Sequence, residues 1–287
     1  MQGTIAQIVA ITAFGNAFLA DAPGAYPADF YPTNSTFVFC KEVKFVDLKR
    51  DGDKWRESPY ADNPDAFFKR LKSEGYKGFR LSYGPPGEKA VTDRMLVGFV
   101  GGGGRWLLEA VGPKGSDIWE ARWSVGNQND PGKRIWHVTY GRVASGIPTG
   151  NSPQSQLEQL KIRLSGNLKS IAEFSRRQKL DGFTRSFEAG LAQVSADEPL
   201  KGVYHTDIAP KGPLPKSAYQ LLSAAQAAWV FGGMGSWNDL GFQGRDQETY
   251  DKLSEELYEL LNTAIVQATN SSYSGGRAKK PWWQLWN

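Results

Sequence analysis

The segment VYHTDIAPKGPLP, residues 203–215, contains a residue pair suited to acid–base chemistry. The imidazole of His205 could act as a general base, and the carboxylate of Asp207 could orient it. The side chains of residues two apart in an extended segment point the same way without necessarily touching. No nucleophile-elbow sequence is present to supply the nucleophile of a catalytic triad. The alternative is that His205 hydrogen-bonds within a loop that the prolines stiffen. A hydrolase with a site near His205 and Asp207 is therefore one functional hypothesis.

Metal and thiol chemistry have few candidate residues in this chain. Cys40 is the only cysteine, and His137 and His205 are the only histidines. An all-protein zinc site would therefore need carboxylate ligands, and we expect neither a metal nor a cofactor. His137 lies on the polar side of a predicted strand and has no identifiable partner there. Whether Cys40 is reactive stays open at this point.

The stretch AAQAAWVFGGMGSWNDLGF, residues 224–242, suits packing or binding better than catalysis. Its glycine-rich run is expected to end a helix, because each glycine costs about 1 kcal/mol in a helix interior relative to alanine. One interpretation is a packed corner between two helices. The other is that Trp237, Asn238 and Asp239 contact a partner, since aromatic residues with adaptable polar neighbours are typical of binding hot spots.

The segment GGRAKKPWWQLWN, residues 275–287, raises a similar choice. It places Trp282, Trp283 and Trp286 close to three basic residues. Three indole rings are costly to leave in solvent. They are therefore expected either to dock on the rest of the fold or to contact a partner. Three basic residues are too few to favour RNA or a membrane surface.

Composition narrows the class of protein further. The formal net charge is +4 over 287 residues, without a concentrated basic patch, so nucleic acid is not favoured as a partner. No run approaches the ~20 apolar residues that a membrane span requires. The first 23 residues are apolar but lack the charged start of a signal peptide, which predicts a strand or a buried segment of the mature chain. A reducing cytoplasm fits these features.

The first half of the chain, residues 1–148, is predicted to be mainly β. Segments rich in β-branched and aromatic residues alternate with turn residues, and Trp119 and Trp123 share one strand face, as in a sheet with one packed side. One helix is expected after Asn63, which can cap it. The predicted strands are residues 35–48, 78–84, 94–100, 105–111, 118–125 and 134–143.

The second half, residues 149–287, is predicted to be helical. The hydrophobic period changes from two to about 3.6, which predicts about four helices followed by the tryptophan-rich tail. The first helix is expected to start at Ser152, and the last has a buried stripe from Tyr250 to Ala268. Strands followed by helices indicate an α+β fold with an antiparallel sheet. The boundary near residue 150 separates two domains or two halves of one domain.

Two pieces of the second half carry a resemblance to a known group of proteins. The stretch WVFGGMGSWNDLGF with the helix YDKLSEELYELLNTAIVQATNSS, and the tail KKPWWQLWN, resemble small cytosolic proteins encoded beside bacterial polymorphic toxins. These include immunity proteins of contact-dependent and type VI secretion systems. The resemblance covers about the last fifth to quarter of the chain. It implies a protein that is not an enzyme and that obstructs the active site or the assembly of a cognate toxin.

The first-ranked hypothesis is therefore a cytoplasmic binding protein of immunity type whose partner is a secreted toxin effector. Its expected contacts are Trp237, Asn238 and Asp239, then the exposed face of the N-terminal sheet, over an interface of standard size. The hydrolase near His205 and Asp207 is the alternative. A third hypothesis is an assembly subunit that docks through the tryptophan-rich tail.

Overall fold

The computed structural model describes residues 1–52, 54–84, 92–97, 103–150 and 156–273. In these ranges the chain is α+β, as predicted, with the strands in the N-terminal half and the longest helices in the C-terminal half. The elements in chain order are α1 (Gly3–Leu19), α2 (Phe30–Thr33), a 3₁₀ turn (Ser35–Phe37), β1 (Cys40–Asp51), β2 (Lys54–Ala61), α3 (Pro64–Ser73), β3 (Gly78–Gly84), α4 (Asp93–Leu96), β4 (Arg105–Gly112), β5 (Gly115–Val125), β6 (Trp136–Ile147), α5 (Leu157–Arg177), α6 (Asp181–Val194), α7 (Lys216–Ala227), a second 3₁₀ turn (Trp237–Asp239) and α8 (Gly244–Asn270).

The six strands form one sheet in the order β2-β1-β6-β5-β4-β3. The chain passes from β2 through α3 to the far edge at β3, and the antiparallel run from β3 to β6 then returns it beside β1. β1 and β6 are parallel, with Phe45 opposite Tyr140, so the prediction of an antiparallel sheet is wrong for this pair. The sheet is mixed because β6 pairs with β1, which lies about a hundred residues earlier in the chain. No local sequence pattern contains information on this pairing.

The N-terminal segment is the helix α1 rather than a strand, although the prediction that it is buried is correct. Thirteen of its 17 residues are buried. A helix that is apolar on all sides shows no 3.6-residue stripe, which explains why the sequence pattern did not identify it. Its Gly15 faces the rings of Phe68 and Phe79, where an added methyl group would lie within 2.8 Å of each ring. A side chain at Gly15 would therefore push α1 away from the sheet.

The N-terminal half contains four α-helices in the described ranges rather than the single one predicted. Residues 94–96 are helical instead of forming a strand. The predicted strand at 35–48 begins only at Cys40, because the Asn34 side chain accepts a hydrogen bond from the Thr36 amide and starts a 3₁₀ turn. β2 was not predicted, since most of this edge strand is polar and exposed.

Helix α3 begins where the sequence predicts. The Asn63 side-chain oxygen accepts a hydrogen bond from the Ala66 amide at 2.8 Å, and Pro64 occupies the first turn. Phe67, Phe68 and Leu71 are fully buried beneath it. The predicted helix and its cap are both confirmed.

We expect Asn63→Ala to lower the free energy of unfolding by about 1 kcal/mol, because the Ala66 amide loses its partner. Chemical denaturation of the wild type and the variant measures this difference. Asn63→Asp is the matched control, since a carboxylate can still accept the bond and should retain most of the stability. Equal losses for both variants would contradict the capping role.

The described part of the C-terminal half contains the four helices α5 to α8. The expected helix start at Ser152 lies outside the described residues, and α5 runs from Leu157 where it is described. α8 is 27 residues long and contacts α1 and β3. Buried side chains of both halves belong to one connected core, which includes Phe79 of the sheet and Leu257 of α8. The sheet and the helices therefore share their packing.

Two asparagine side chains cover the outer edge of β3. The Asn16 side chain accepts a hydrogen bond from the Phe79 amide at 2.6 Å and donates one to the Phe79 carbonyl at 3.0 Å. The Asn270 side chain bonds in the same way to the amide and carbonyl of Leu81, at 2.6 and 2.8 Å. Each carboxamide thus takes the place of a neighbouring strand, and together they fix α1 and the end of α8 to the sheet.

Candidate functional site

A cavity of about 710 Å³ lies between β3 and α8, which we call the β3–α8 cavity. Its volume is typical of sites that bind small molecules or single side chains. One wall is formed by β3 and β4, and the opposite wall by α8, with Asp93 of α4 between them. The residues that line it are Arg80, Leu81, Ser82, Tyr83, Asp93, Glu109, Gly150, Glu255, Tyr258, Glu259, Asn262, Thr263, Val266, Gln267 and Asn270.

The helical repeat of α8 explains why its residues meet in one wall. Glu255, Glu259, Asn262 and Val266 follow one another at spacings of three or four residues, and Tyr258 precedes Asn262 by four, so all five share one side of the helix. This face lies beside the apolar stripe that packs into the core. From the sequence pattern alone, Glu255 and Glu259 look solvent-facing, because such a pattern distinguishes polar from apolar positions but not what lies opposite them.

Carboxylates outnumber cationic side chains in the cavity wall. Four acidic residues and one arginine line it. Arg80 forms an ion pair with Glu109 at 2.6 Å, and Glu255 pairs with Arg94 behind the wall at 2.9 Å. Asp93 and Glu259 form no ion pair with any residue in the described ranges. The wall therefore carries negative charge that the described side chains do not neutralise.

The carboxyl group of Asp93 has a perturbed environment in the cavity. Burial is the main cause that raises the pKa of its carboxyl group, and the charge of Glu255 raises it further, while hydrogen bonds from Gly104 and Tyr258 oppose the shift. The Tyr83 hydroxyl donates to Asp93 Oδ2 and lies 3.1 Å from the Tyr258 hydroxyl. A cation placed beside Asp93 would stabilise its ionised form and offset the penalty of burial.

Three buried polar atoms on the lining residues have no hydrogen-bond partner among the described residues. They are Arg80 Nε, Asp93 Oδ1 and Asn262 Oδ1. An unsatisfied buried polar atom costs about 1 to 3 kcal/mol, so three in the lining of one cavity are unusual for a purely structural region. Two of the three are acceptors. The wall is therefore suited to a group that brings hydrogen-bond donors.

Arg94 supports the cavity from behind. Its side chain is buried, and it donates hydrogen bonds to Glu255, to the Asn238 side chain at 3.0 Å and to the Tyr250 hydroxyl at 3.3 Å. The Asn238 side chain in turn donates to the Arg94 carbonyl at 2.7 Å. Because α4 also carries Asp93, these bonds hold the acidic group of the cavity in place. Asn238 acts as a positioning residue for this wall.

Trp237 is fully buried, with 0% of its surface exposed. Its indole nitrogen donates to the Ser254 hydroxyl at 2.7 Å, and the ring of Phe187 lies 5.0 Å from its own at right angles. A partner cannot reach this ring, so the predicted contact through Trp237 does not fit the structure. Of the two interpretations of this corner, its described contacts support packing.

The other residues of the corner also act within the fold. Asn238 is 7% exposed, and both ends of its side-chain amide bond to Arg94. Asp239 is exposed, but its carboxylate accepts hydrogen bonds from the Gly235 and Ser236 amides in a capping box. The predicted binding residues Trp282, Trp283 and Trp286 lie outside the described residues.

His205 and Asp207 do come together in space, with a third residue that the sequence did not identify. Ser35 Oγ lies 2.8 Å from His205 Nδ1 and also hydrogen-bonds to Asp207 Oδ1, while the Ser35 amide donates to Asp207 Oδ2 at 2.8 Å. A catalytic triad requires the histidine between the serine and the acid. Here the serine lies between the other two, so Asp207 does not orient the imidazole. This order does not support the hydrolase hypothesis.

The surroundings of His205 are those of a packed loop. Burial lowers the pKa of its imidazole, although the charge of Asp207 acts in the opposite direction. Its backbone amide and carbonyl both bond to the Gln226 side chain, at 2.9 and 3.2 Å. The interpretation that His205 hydrogen-bonds within a loop agrees with these contacts. Nothing in residues 203–215 alone could have identified Ser35, which lies 170 positions earlier.

Two further residues from the sequence analysis have defined surroundings. His137 Nδ1 lies 2.9 Å from Glu42 Oε1, a partner that the sequence did not identify. Cys40 is 6% exposed, and burial is the main cause that raises the pKa of its thiol to about 11, although a hydrogen bond from Gln7 opposes the shift. A thiol with this pKa is almost fully protonated at neutral pH and is a weak nucleophile.

Within the described ranges, no group of three or more His, Cys, Asp and Glu side chains is placed to hold a metal ion. None of the helices in these ranges combines the length and apolarity of a membrane span.

We compared the chain with protein-family models, with curated proteins and with solved structures, and none of the three comparisons gave a match.

Proposed function

We propose that this chain is a binding protein that takes a cationic group of its partner into the β3–α8 cavity. The observation that carries the proposal is the half-buried Asp93 carboxyl group, whose pKa is raised in a wall with few compensating cations. A guanidinium or ammonium group beside it would supply positive charge. It would also donate hydrogen bonds to the unpartnered oxygens of Asp93 and Asn262.

The shape of the cavity favours a cation on an aliphatic stem, such as an arginine or lysine side chain. Leu81 and Val266 provide apolar surface in the wall, and the rings of Tyr83 and Tyr258 lie close to the carboxylate. An aliphatic stem packs on such surfaces while the charged head reaches the acid. At an effective dielectric constant of about 20, two opposite charges 4 Å apart attract by about 4 kcal/mol before desolvation is subtracted.

The partner that we propose is a protein, namely a secreted toxin whose basic side chain enters the cavity. The support is the resemblance of residues 229–242, of residues 250–272 and of the tail to immunity proteins, because the second of these segments supplies the α8 wall. Occlusion of the toxin by this surface requires no catalysis by the chain. In this proposal the protein acts in the cytoplasm and protects the cell that makes it.

We expect N-acetyl-arginine methylamide to bind in the cavity of the wild type. Its neutral isostere N-acetyl-citrulline methylamide should bind at least ten times more weakly, because it lacks the charge. Asp93→Asn should weaken binding of the arginine compound by about ten-fold or more, a change that corresponds to about 1.4 kcal/mol. Titration followed by NMR chemical shifts gives both the affinity and the location of the site.

Glu248→Gln is the matched control, since this exposed acid lies on α8 outside the cavity lining. Its affinity for the arginine compound should equal that of the wild type. Binding of both compounds with equal affinity, or unchanged binding by Asp93→Asn, would contradict the proposed cation site.

The partner class has a separate test, which is co-expression with the toxin encoded beside this chain. The wild type and Glu248→Gln should protect the cells, whereas Asp93→Asn should not. A neighbouring gene product that neither binds the purified wild type nor harms unprotected cells would overturn the immunity function. The titration alone would then test the cation site.

A further inference from the structure

We propose that residues 274–287 of this chain occupy the β3–α8 cavity when no partner is bound. The inference rests on the proposed function, because the same carboxylates would receive the basic residues of this tail and the cationic group of the partner. The tail would then act as a competitor for the site within the same molecule. Three observations support this assignment.

The first observation is the place where the tail leaves the described fold. Asn270 lines the cavity and is fixed to Leu81 of the opposite wall through two hydrogen bonds. Tyr273 is the last described residue, and its ring lies 5.9 Å from the guanidinium group of Arg80, another lining residue. The tail therefore begins at one end of the cavity wall.

The second observation is reach. The cavity wall on α8 extends from Asn270 back to Glu255, and 15 residues of helix span about 22 Å. Lys280 lies seven positions after Tyr273, and an extended chain of that length spans up to about 25 Å. Lys280 can therefore reach the far end of this wall, whereas Arg277 reaches the part nearer Asn270, and the tryptophans that follow can cover apolar surface of the wall.

The third observation is charge. The tail contains Arg277, Lys279 and Lys280 and no acidic side chain. Asp93 and Glu259 in the cavity have no ion-pair partner within the described part of the chain, as stated above. A tether this short gives the tail a local concentration on the order of millimolar, so even weak contacts would keep it in the cavity for much of the time.

A docked tail would lower the apparent affinity for every other cation. The apparent dissociation constant equals the intrinsic one divided by the fraction of molecules in which the cavity is free of the tail. A partner would need to bind tightly enough, or over enough additional surface, to displace it. Isolated basic peptides would then bind more weakly, which gives the site selectivity for a large partner.

The experiment uses the full chain with a nitroxide label at Gln284→Cys. The single native thiol, Cys40, is buried, so the introduced cysteine is the one that reacts. We expect the label to broaden amide NMR signals of β3 and α8 around the cavity. This broadening should disappear in the variant Arg277→Gln, Lys279→Gln, Lys280→Gln, which should also bind the arginine compound about ten times more tightly than the wild type.

The control variant removes three exposed positive charges elsewhere, as Arg163→Gln, Lys169→Gln, Lys252→Gln. It should retain both the broadening and the affinity of the wild type. If the label broadens no signals, or broadens signals on another face of the protein, the tail inference is overturned. The proposed function stays intact in that case as long as binding of the arginine compound depends on Asp93. The opposite result is also possible: the label in the wild-type tail broadens the cavity signals, but the variant without the tail charges does not bind the arginine compound. The proposed function then fails, while the inference that the tail docks in the cavity is retained.

Discussion

Replacement of Trp237 by alanine is expected to lower the free energy of unfolding by about 3 to 5 kcal/mol. The indole is fully buried, and its neighbours include the rings of Phe183, Phe187 and Tyr250 within 5.3 Å. The alanine variant loses these contacts and leaves a cavity that the surrounding helices can fill only in part. It also removes the hydrogen bond to Ser254.

Chemical denaturation followed by circular dichroism measures this loss. Trp55→Ala is the matched control, because this side chain is 63% exposed on β2, and a change there should stay within about 0.5 kcal/mol. Trp237→Phe should fall between the two, since it keeps most of the ring packing. Similar stability of Trp237→Ala and Trp55→Ala would show that the corner is not part of the core.

This result also decides how binding data on the corner must be interpreted. If Trp237→Ala loses a partner, the loss of folded structure explains it without any direct contact. Asp239 is exposed, so Asp239→Ala leaves the core contacts of Trp237 in place. Of these two variants, only Asp239→Ala can therefore report on a partner contact at this corner.

The second large effect is expected at Asp117, which is buried within the sheet. Asp117 Oδ2 accepts hydrogen bonds from Tyr76 at 2.6 Å and Arg142 at 2.7 Å, and Oδ1 accepts from Ser145 at 2.7 Å and the Gly146 amide at 3.1 Å. Asp117→Ala leaves all four donors without this partner. Breaking a buried ion pair from one side costs about 3 to 5 kcal/mol, and we expect a loss in this range at pH 7.

The stabilisation from Asp117 should depend on pH. Burial alone would raise the pKa of its carboxyl group, but the hydrogen bonds from Tyr76, Ser145 and Arg142 outweigh it and lower the pKa below the ordinary value. The folded pKa is thus below the unfolded value of about 3.9. The contribution is complete above that pH and is lost as the pH falls through the lower, folded pKa.

Denaturation of the wild type and Asp117→Ala between pH 2 and pH 7 checks both expectations. The difference in unfolding free energy should be constant above about pH 5 and should shrink as the pH falls below about 4. Asp62→Ala, at an exposed position before α3, is the control and should show little difference at any pH. A difference for Asp117→Ala that grows with acidity would contradict the sign of the pKa shift.

Local patterns in the sequence predicted the elements that have one buried side and one exposed side. α3 and α8 show a 3.6-residue stripe, and β5 shows the alternation around Trp119, because each packs against the core on one face. α1 is buried on all sides and β2 is mostly exposed, so neither produces a periodic contrast. The parallel pairing of β1 with β6 depends on contacts across the chain that no local pattern contains.

The cavity was beyond prediction for the same reason. The polar face of α8 with Glu255 and Glu259 looks like any solvated helix face until β3 is known to lie opposite it. The link between Ser35 and His205 joins positions 170 residues apart. The sequence identified the corner at Trp237 as an unusual segment, but its composition fits a buried joint and a binding surface equally well.

The asparagine contacts at β3 have a consequence for how this sheet can meet other chains. Asn16 and Asn270 occupy backbone groups that an incoming strand would need at that edge. Sheet extension by a second molecule would therefore have to begin at β2. There the exposed charges of Lys54, Arg56 and Glu57 would have to be accommodated, which disfavours strand addition. The two edges thus resist aggregation in different ways, one through satisfied hydrogen bonds and the other through charge.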